Sequence, residues 1–153
     1  MISVLLSPKR TVCVGTFDLS YLLHLHECGV NRLSVGVQSF DDHALLTCGR
    51  PHTSADVWKA LDTISRSPMQ KNFNLDLISS LPNISLSVWE RSLSLARQTD
   101  ASHVSVYDLQ IEEKSAFGRW VSRGTLDPAP ETLSAQCYRR AVELLTEPSS
   151  ELN

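Results

Sequence analysis

Asp76 sits inside Phe73-Asn74-Leu75-Asp76-Leu77-Ile78, an alternating run that predicts a β-strand. An ionised carboxylate buried in mid-strand without a partner costs several kcal/mol. It needs an arginine, a ligand hydroxyl or backbone donors. Arg50 is a candidate partner, being a planar donor placed just after a helix. A structural Asp76–Arg50 pair and a ligand-binding Asp76 are both open at this point.

The neighbouring strands carry the same kind of pattern. In Arg32-Leu33-Ser34-Val35-Gly36-Val37, the residues Leu33, Val35 and Val37 share one face, and Ser34, Gly36 and Gln38 share the other. In the Phe73 run, Phe73, Leu75 and Leu77 oppose Asn74, Asp76 and Ile78. In His103 to Leu109, Val104 and Val106 oppose Ser105 and Tyr107. Parallel strands buried on both faces read as nearly continuous apolar runs, and a packed barrel interior is filled mostly by branched apolar side chains. A repeated polar or small face points instead to the wall of a polar ligand cavity, with Gly36 allowing close approach.

Other reactive residues carry less. His24 and His26 are two apart and cannot share a helix face, and His43, His52 and His103 lack ligand spacing. Each is expected at the surface or satisfied in the core. Glu112-Glu113 reads as a solvated acidic turn. Trp58, Trp89 and Trp120 are expected to pack on helices or a loop. Cys13, Cys28, Cys48 and Cys137 form neither a C-x-x-C knuckle nor a C-x-x-x-C-x-x-C loop, so they are expected to be reduced and mostly buried.

The elements that position these residues alternate. Asp18 to Glu27 predicts a helix N-capped by Asp18 and stopped by Gly29. Asp41 to Cys48 predicts a short helix closed by Gly49. Thr53 opens another, with Asp56 as capping-box partner. Ser87 with Glu90 predicts a capping box for a helix ending near Gln98. Gly118, Gly124, Pro128 and Pro130 mark a polar connection. Glu131 to Leu145 predicts a last helix with Tyr138, Ala141, Val142 and Leu145 on its apolar side. A weak strand is expected before Gly15. This order predicts an α/β fold with parallel βαβ units and right-handed crossovers: a partial parallel (β/α) barrel of three to four strands, each followed by a helix. Residues 1–146 form the domain, and 147–153 a disordered tail. No glycine-rich phosphate fingerprint supports an open doubly wound sheet.

Composition narrows the function classes. The 153 residues suit one domain, 42% hydrophobic and 20% charged. A net charge of -3 argues against nucleic acid as main partner. No apolar run approaches the roughly 20 residues of a membrane span, and Met1 to Leu6 resembles neither a secretory signal nor a good transit peptide. The expected location is cytoplasmic, or organellar if a full-length parent carries a transit peptide.

Several blocks together resemble one family. Gly29-Val30-Asn31-Arg32-Leu33-Ser34-Val35-Gly36-Val37-Gln38-Ser39-Phe40 is similar to a hallmark segment of the coproporphyrinogen III oxidase-like radical S-adenosylmethionine (SAM) proteins. Gly49-Arg50-Pro51-His52-Thr53, Asn74 to Pro82, His103 to Glu112 and Phe117-Gly118 follow in the family's order. Tyr107-Asp108-Leu109-Gln110-Ile111-Glu112 resembles the heme chaperone branch more than the oxidase proper. Ser79-Ser80 stands where many relatives have Tyr-Gly or His-Gly.

The resemblance implies a fragment of a radical SAM barrel, with SAM contacts at Gln38, Arg50 and Asp76 and, more loosely, at Gln110. In the family a four-iron, four-sulfur cluster reduces SAM to a 5′-deoxyadenosyl radical. Oxidase members decarboxylate coproporphyrinogen, and chaperone members are thought to bind heme. This sequence departs from the pattern. It contains no C-x-x-x-C-x-x-C, and Thr11-Val12-Cys13-Val14 replaces an acidic segment that supplies a SAM-contacting glutamate. The chain is therefore expected to hold part of a SAM site without the cluster ligands and not to reduce SAM alone. A partner chain or longer product would supply the missing half. The alternatives are a non-catalytic heme-binding or interaction remnant, and a truncated product without independent function, whose open sheet edges invite aggregation.

Overall fold

The computed structural model describes residues 9–146; Met1 to Leu6 and the expected tail at 147–153 lie outside the described residues. Ten elements follow in order: β1 (Lys9–Cys13), α1 (Leu19–Glu27), β2 (Arg32–Gln38), α2 (Asp42–Thr47), α3 (Ser54–Ser65), β3 (Phe73–Ser79), α4 (Leu86–Arg97), β4 (His103–Asp108), α5 (Ala116–Ser122) and α6 (Glu131–Thr146). The four strands form one parallel sheet in the order β1-β2-β3-β4. This is the (β/α) progression expected of a partial barrel, and the weak strand before Gly15 is present as β1.

Local chemistry explains most boundaries. The Asp18 carboxylate accepts from the Tyr21 amide at 2.8 Å and starts α1. Asp41 does the same for α2 through the Ala44 amide, at 2.9 Å. Thr53 and Asp56 satisfy each other's backbone N–H groups in a reciprocal capping box at the head of α3. Two carboxylates sit below the usual acidic range, Asp18 because of the Tyr21 amide and the Ser20 hydroxyl, and Asp56 because of the Thr53 amide and hydroxyl.

The apolar strand faces behave as their alternation requires. Leu33, Val35, Val37, Leu75 and Leu77 are fully buried, and Phe73 nearly so. They pack with Leu22 of α1, Val57 and Ile64 of α3, and Trp89 and Leu93 of α4 in one cluster. Helix α6 lies against α4: the Trp89 indole N–H donates to the Cys137 carbonyl at 3.0 Å, and Arg140 pairs with Glu90 at 2.5 Å. Burying Leu75 or Leu93 side chains contributes roughly 1.5–3 kcal/mol each.

Four sequence expectations are corrected here. Helix α4 is capped by Ser85 instead of Ser87, with the Ser85 hydroxyl accepting from the Val88 amide at 3.4 Å. The Ser87 hydroxyl instead lies 2.9 Å from that of Ser85. The connection containing Gly118 holds a further helix, α5, capped by Ser115. Gly118 survives in it because a side chain there would strike backbone: a Cβ would fall 2.2 Å from the Glu112 carbonyl oxygen. The buried side of α6 is Cys137 and Ala141, whereas Tyr138 is 69% exposed and Val142 44%. Ala141 is on the expected side, but the position of α4 turns the covered stripe toward Cys137 and away from Tyr138 and Val142. Finally, all four cysteines are free, but Cys13 and Cys28 are exposed, Cys48 is half-buried and only Cys137 is buried. Cys13 ends the edge strand and Cys28 caps α1, so neither reaches the core. Among the described residues no helix is long and apolar enough to cross a membrane.

Candidate functional site

Register decides which side chains share the polar face. Thr11, Ser34, Asn74 and His103 form one row across the sheet, and Cys13, Gly36, Asp76 and Ser105 form the next. The faces derived from period two are therefore stacked as a wall, opposite the face that the apolar core covers.

Asp76 is 9% exposed, and its partners are neutral. The Ser34 hydroxyl donates to one carboxylate oxygen at 2.7 Å, and the Asn74 amide nitrogen donates to the other at 2.9 Å. That amide also donates to the Ser34 oxygen at 2.9 Å. No ion pair joins Asp76 to Arg50 among the described residues. Arg50 follows Gly49 beyond α2, with its backbone amide bonded to the Leu45 carbonyl at 3.0 Å. Of the two readings left open by the sequence, the Asp76–Arg50 pair does not form; a hydroxyl and an amide stand in its place. The reason is local: Ser34 and Asn74 already stand beside Asp76 on the sheet, whereas Arg50 belongs to a separate loop. The charge of Arg50 acts instead on Cys48, whose thiol burial pushes up to about 11 and Arg50 partly holds back.

Gln38 ends β2 at a register shift between Gly36 and Gln38, and its backbone is left-handed, φ 70°. That conformation is uncommon for a residue with a side chain and, at a strand's carboxyl end, is a feature that gathers at functional sites. Its effect is to bring the Gln38 side chain back over Gly36: a Cβ on Gly36 would lie 3.0 Å from Gln38 Nε2. Because Gly36 is in register with Asp76, the amide lies on the Asp76 face. Gln38 is 8% exposed, yet its amide makes no hydrogen bond to another described residue. A nearly buried amide with unused donors and acceptors, beside a carboxylate without a counter-charge, is suited to a polar ligand that brings both kinds of group.

Gln110 lies just beyond β4 and is exposed, at the same carboxyl end of the sheet as Gln38. The structure therefore brings Gln38 and Asp76 together and leaves Arg50 and Gln110 on loops outside that contact. Sequence reasoning missed Ser80. It follows β3 with φ 59°, and its hydroxyl is buried without a hydrogen-bond partner. The signal was the resemblance itself, in which Ser80 stands where many relatives have glycine, the residue that adopts φ > 0 freely. Ser34 and Asn74 were placed on the polar face without a role; the signal for them was their spacing from Gly36 and Asp76. His52, expected to be satisfied if buried, is 8% exposed, with Nε2 3.4 Å from the Val37 carbonyl oxygen.

The donor set fits SAM better than it fits a metal cluster. Asp76 and Gln38 offer an acceptor and an amide to a cationic, hydroxyl-rich ligand. The four cysteines are dispersed, and no group of three or more His, Cys, Asp or Glu that could hold a metal occurs among the described residues. An iron–sulfur cluster does not fit the residues described.

Comparisons with known proteins agree with this architecture. No family model matches the chain. The heme chaperone HemW of Synechocystis is 41% identical over 133 residues, which are 87% of this chain and 32% of that protein. The mitochondrial radical S-adenosyl methionine domain-containing protein 1 of Bos taurus is 35% identical over 120 residues, 78% of this chain and 27% of that protein. The chain thus spans about a third of the length of the curated relatives it matches. Coproporphyrinogen III oxidase (HemN) from Escherichia coli, a radical SAM enzyme, superposes with a TM-score of 0.73 at 19% identity, over 90% of this chain and 31% of that one. That likeness supports the fold.

Proposed function

Taking this chain as a homologue of the radical SAM heme chaperones and coproporphyrinogen oxidase-like proteins, we propose that it supplies part of a SAM-binding wall, with Gln38 and Asp76 as its contacts. The observation that carries the reading is the unpartnered, nearly buried Gln38 amide folded over Gly36 beside Asp76. Asp76 orients the ligand by accepting from its donors. Gln38 closes on it from the carboxyl end of β2, two residues beyond Gly36, and Gly36 keeps the space between them clear. Arg50 and Gln110 are outer contacts, reached only if a ligand extends toward their loops. SAM, when bound, supplies the radical chemistry of the family.

In this reading the chain alone does not reduce SAM. The residues described here hold no cluster site, and Thr11 stands where the family's acidic contact is expected. A further stretch of chain, or a partner, provides the cluster and the rest of the wall. The mitochondrial relative supports an organellar location as an alternative to a cytoplasmic one.

Equilibrium dialysis against SAM tests the reading, with Asp76→Ala as the control. Saturable binding weaker than millimolar that disappears in Asp76→Ala is expected. Equal binding by the variant would remove Asp76 from the site. A second reading, heme carriage, is favoured by the relatives that are named heme chaperones; a heme titration without a shift of the Soret band would remove it.

A further inference from the structure

We propose that Ser34 and Asn74 are positioning residues that lock the Asp76 carboxylate in one orientation, so that its remaining lone pairs select a ligand bringing hydrogen-bond donors. The proposal deepens the SAM reading and rests on it for the identity of the ligand.

The three side chains form a closed ring. Asn74 Nδ2 donates to Ser34 Oγ at 2.9 Å and to Asp76 Oδ1 at 2.9 Å, and Ser34 Oγ donates onward to Asp76 Oδ2 at 2.7 Å. Each carboxylate oxygen therefore has one fixed donor, from a strand residue whose backbone the sheet holds in place. A carboxylate held at one oxygen can still swing about its side-chain torsions; one held at both cannot leave its rotamer without breaking a charge-assisted bond.

The ring is costly for stability alone. Asn74 is fully buried, and its own oxygen, Oδ1, has no hydrogen-bond partner. An orphaned buried acceptor is a penalty that an apolar side chain at position 74 would avoid. Both amide hydrogens are committed to the ring, with Ser105 Oγ only at 3.5 Å. The arrangement makes sense if orienting Asp76 is what Asn74 is for. Both donors are also neutral, so no cation of the chain occupies the Asp76 carboxylate. A salt-bridged carboxylate would have to surrender its cation before meeting a ligand; this one does not.

Nuclear magnetic resonance on the isotope-labelled chain tests the ring with and without ligand. Side-chain couplings should report a single Asp76 rotamer in the wild-type chain, averaging in Ser34→Ala, and recovery in Ser34→Thr, which keeps the hydroxyl. Titration with SAM should show Ser34→Ala weakening binding about tenfold, the effect of one hydrogen bond to a charged group. In an Asp76→Asn background the same change should cost nothing further. An Asp76 rotamer that stays fixed in both Ser34→Ala and Asn74→Leu overturns the proposal, as does an equal affinity loss in both backgrounds. If the rotamer behaves as stated but SAM perturbs no wall resonance in any chain, the ring stands and the SAM reading falls.

Discussion

Gly36→Ala separates the architecture of the wall from its chemistry. The added Cβ would lie 3.0 Å from Gln38 Nε2 and 3.8 Å from the Val12 carbonyl oxygen. Ordinary contact begins near 3.5 Å, so the amide must retreat by about half an ångström while the backbone stays in place. A side chain pushed off its rotamer costs roughly 0.5–1.5 kcal/mol. Replacing glycine by alanine inside a strand returns roughly 0.5–1 kcal/mol. These nearly cancel, so the unfolding free energy should remain within about 1 kcal/mol of wild type. Ligand binding should not be spared. Loss of one neutral hydrogen bond from the amide is worth about 1 kcal/mol, roughly fivefold in affinity. Because the substitution acts through Gln38, Gly36→Ala, Gln38→Ala and the double variant should bind SAM equally weakly. Urea unfolding followed by tryptophan fluorescence gives the first quantity, and SAM titration by nuclear magnetic resonance gives the second. Additive losses in the double variant, or a stability loss above about 2 kcal/mol, would refute the placement of Gln38 over Gly36.

Three further outcomes follow from the same geometry. Ser80→Gly should stabilise the chain by about 1 kcal/mol in urea unfolding, because it removes both a left-handed backbone with a side chain, φ 59°, and an orphaned buried hydroxyl. Cys48, with its thiol held at about 11, should react with iodoacetamide at mildly alkaline pH far more slowly than exposed Cys13 and Cys28, as peptide mass mapping would show. Asp18 and Asp56 have depressed folded pKa values, so their capping contribution is present above the unfolded value near 4 and is lost as pH falls through the lower folded values. Asp18→Asn keeps a capping acceptor that does not titrate, so stability measured by urea unfolding should depend less steeply on pH in that acidic window; an unchanged slope would contradict the assignment.

Much of the fold was legible because local signals agreed. The strands at Leu33, Phe73 and Val104 alternate cleanly, Asp18 and Thr53 cap the helices they precede, and Asp56 completes the capping box from inside its helix. What stayed illegible depends on neighbours distant in sequence. Glycine and proline around Gly118 hid α5, since only the approach to the Glu112 carbonyl explains a glycine within that helix. Tyr138 and Val142 satisfied the helical period of α6, but α4 covers Cys137 and Ala141 instead. At the site, the need of Asp76 for partners could be read from its position. That Ser34 and Asn74 meet it, and Arg50 does not, requires the register between β2 and β3.

The central claim is that Gln38 and Asp76 face one ligand across Gly36. Mapping resonance shifts over the whole chain during titration with millimolar SAM tests it most directly. The account predicts weak, saturable shifts centred on Gln38, Gly36, Asp76, Ser34 and Asn74. Shifts confined to the helices on the opposite face, an untouched Gln38–Asp76 pair, or micromolar affinity in this chain alone would contradict it.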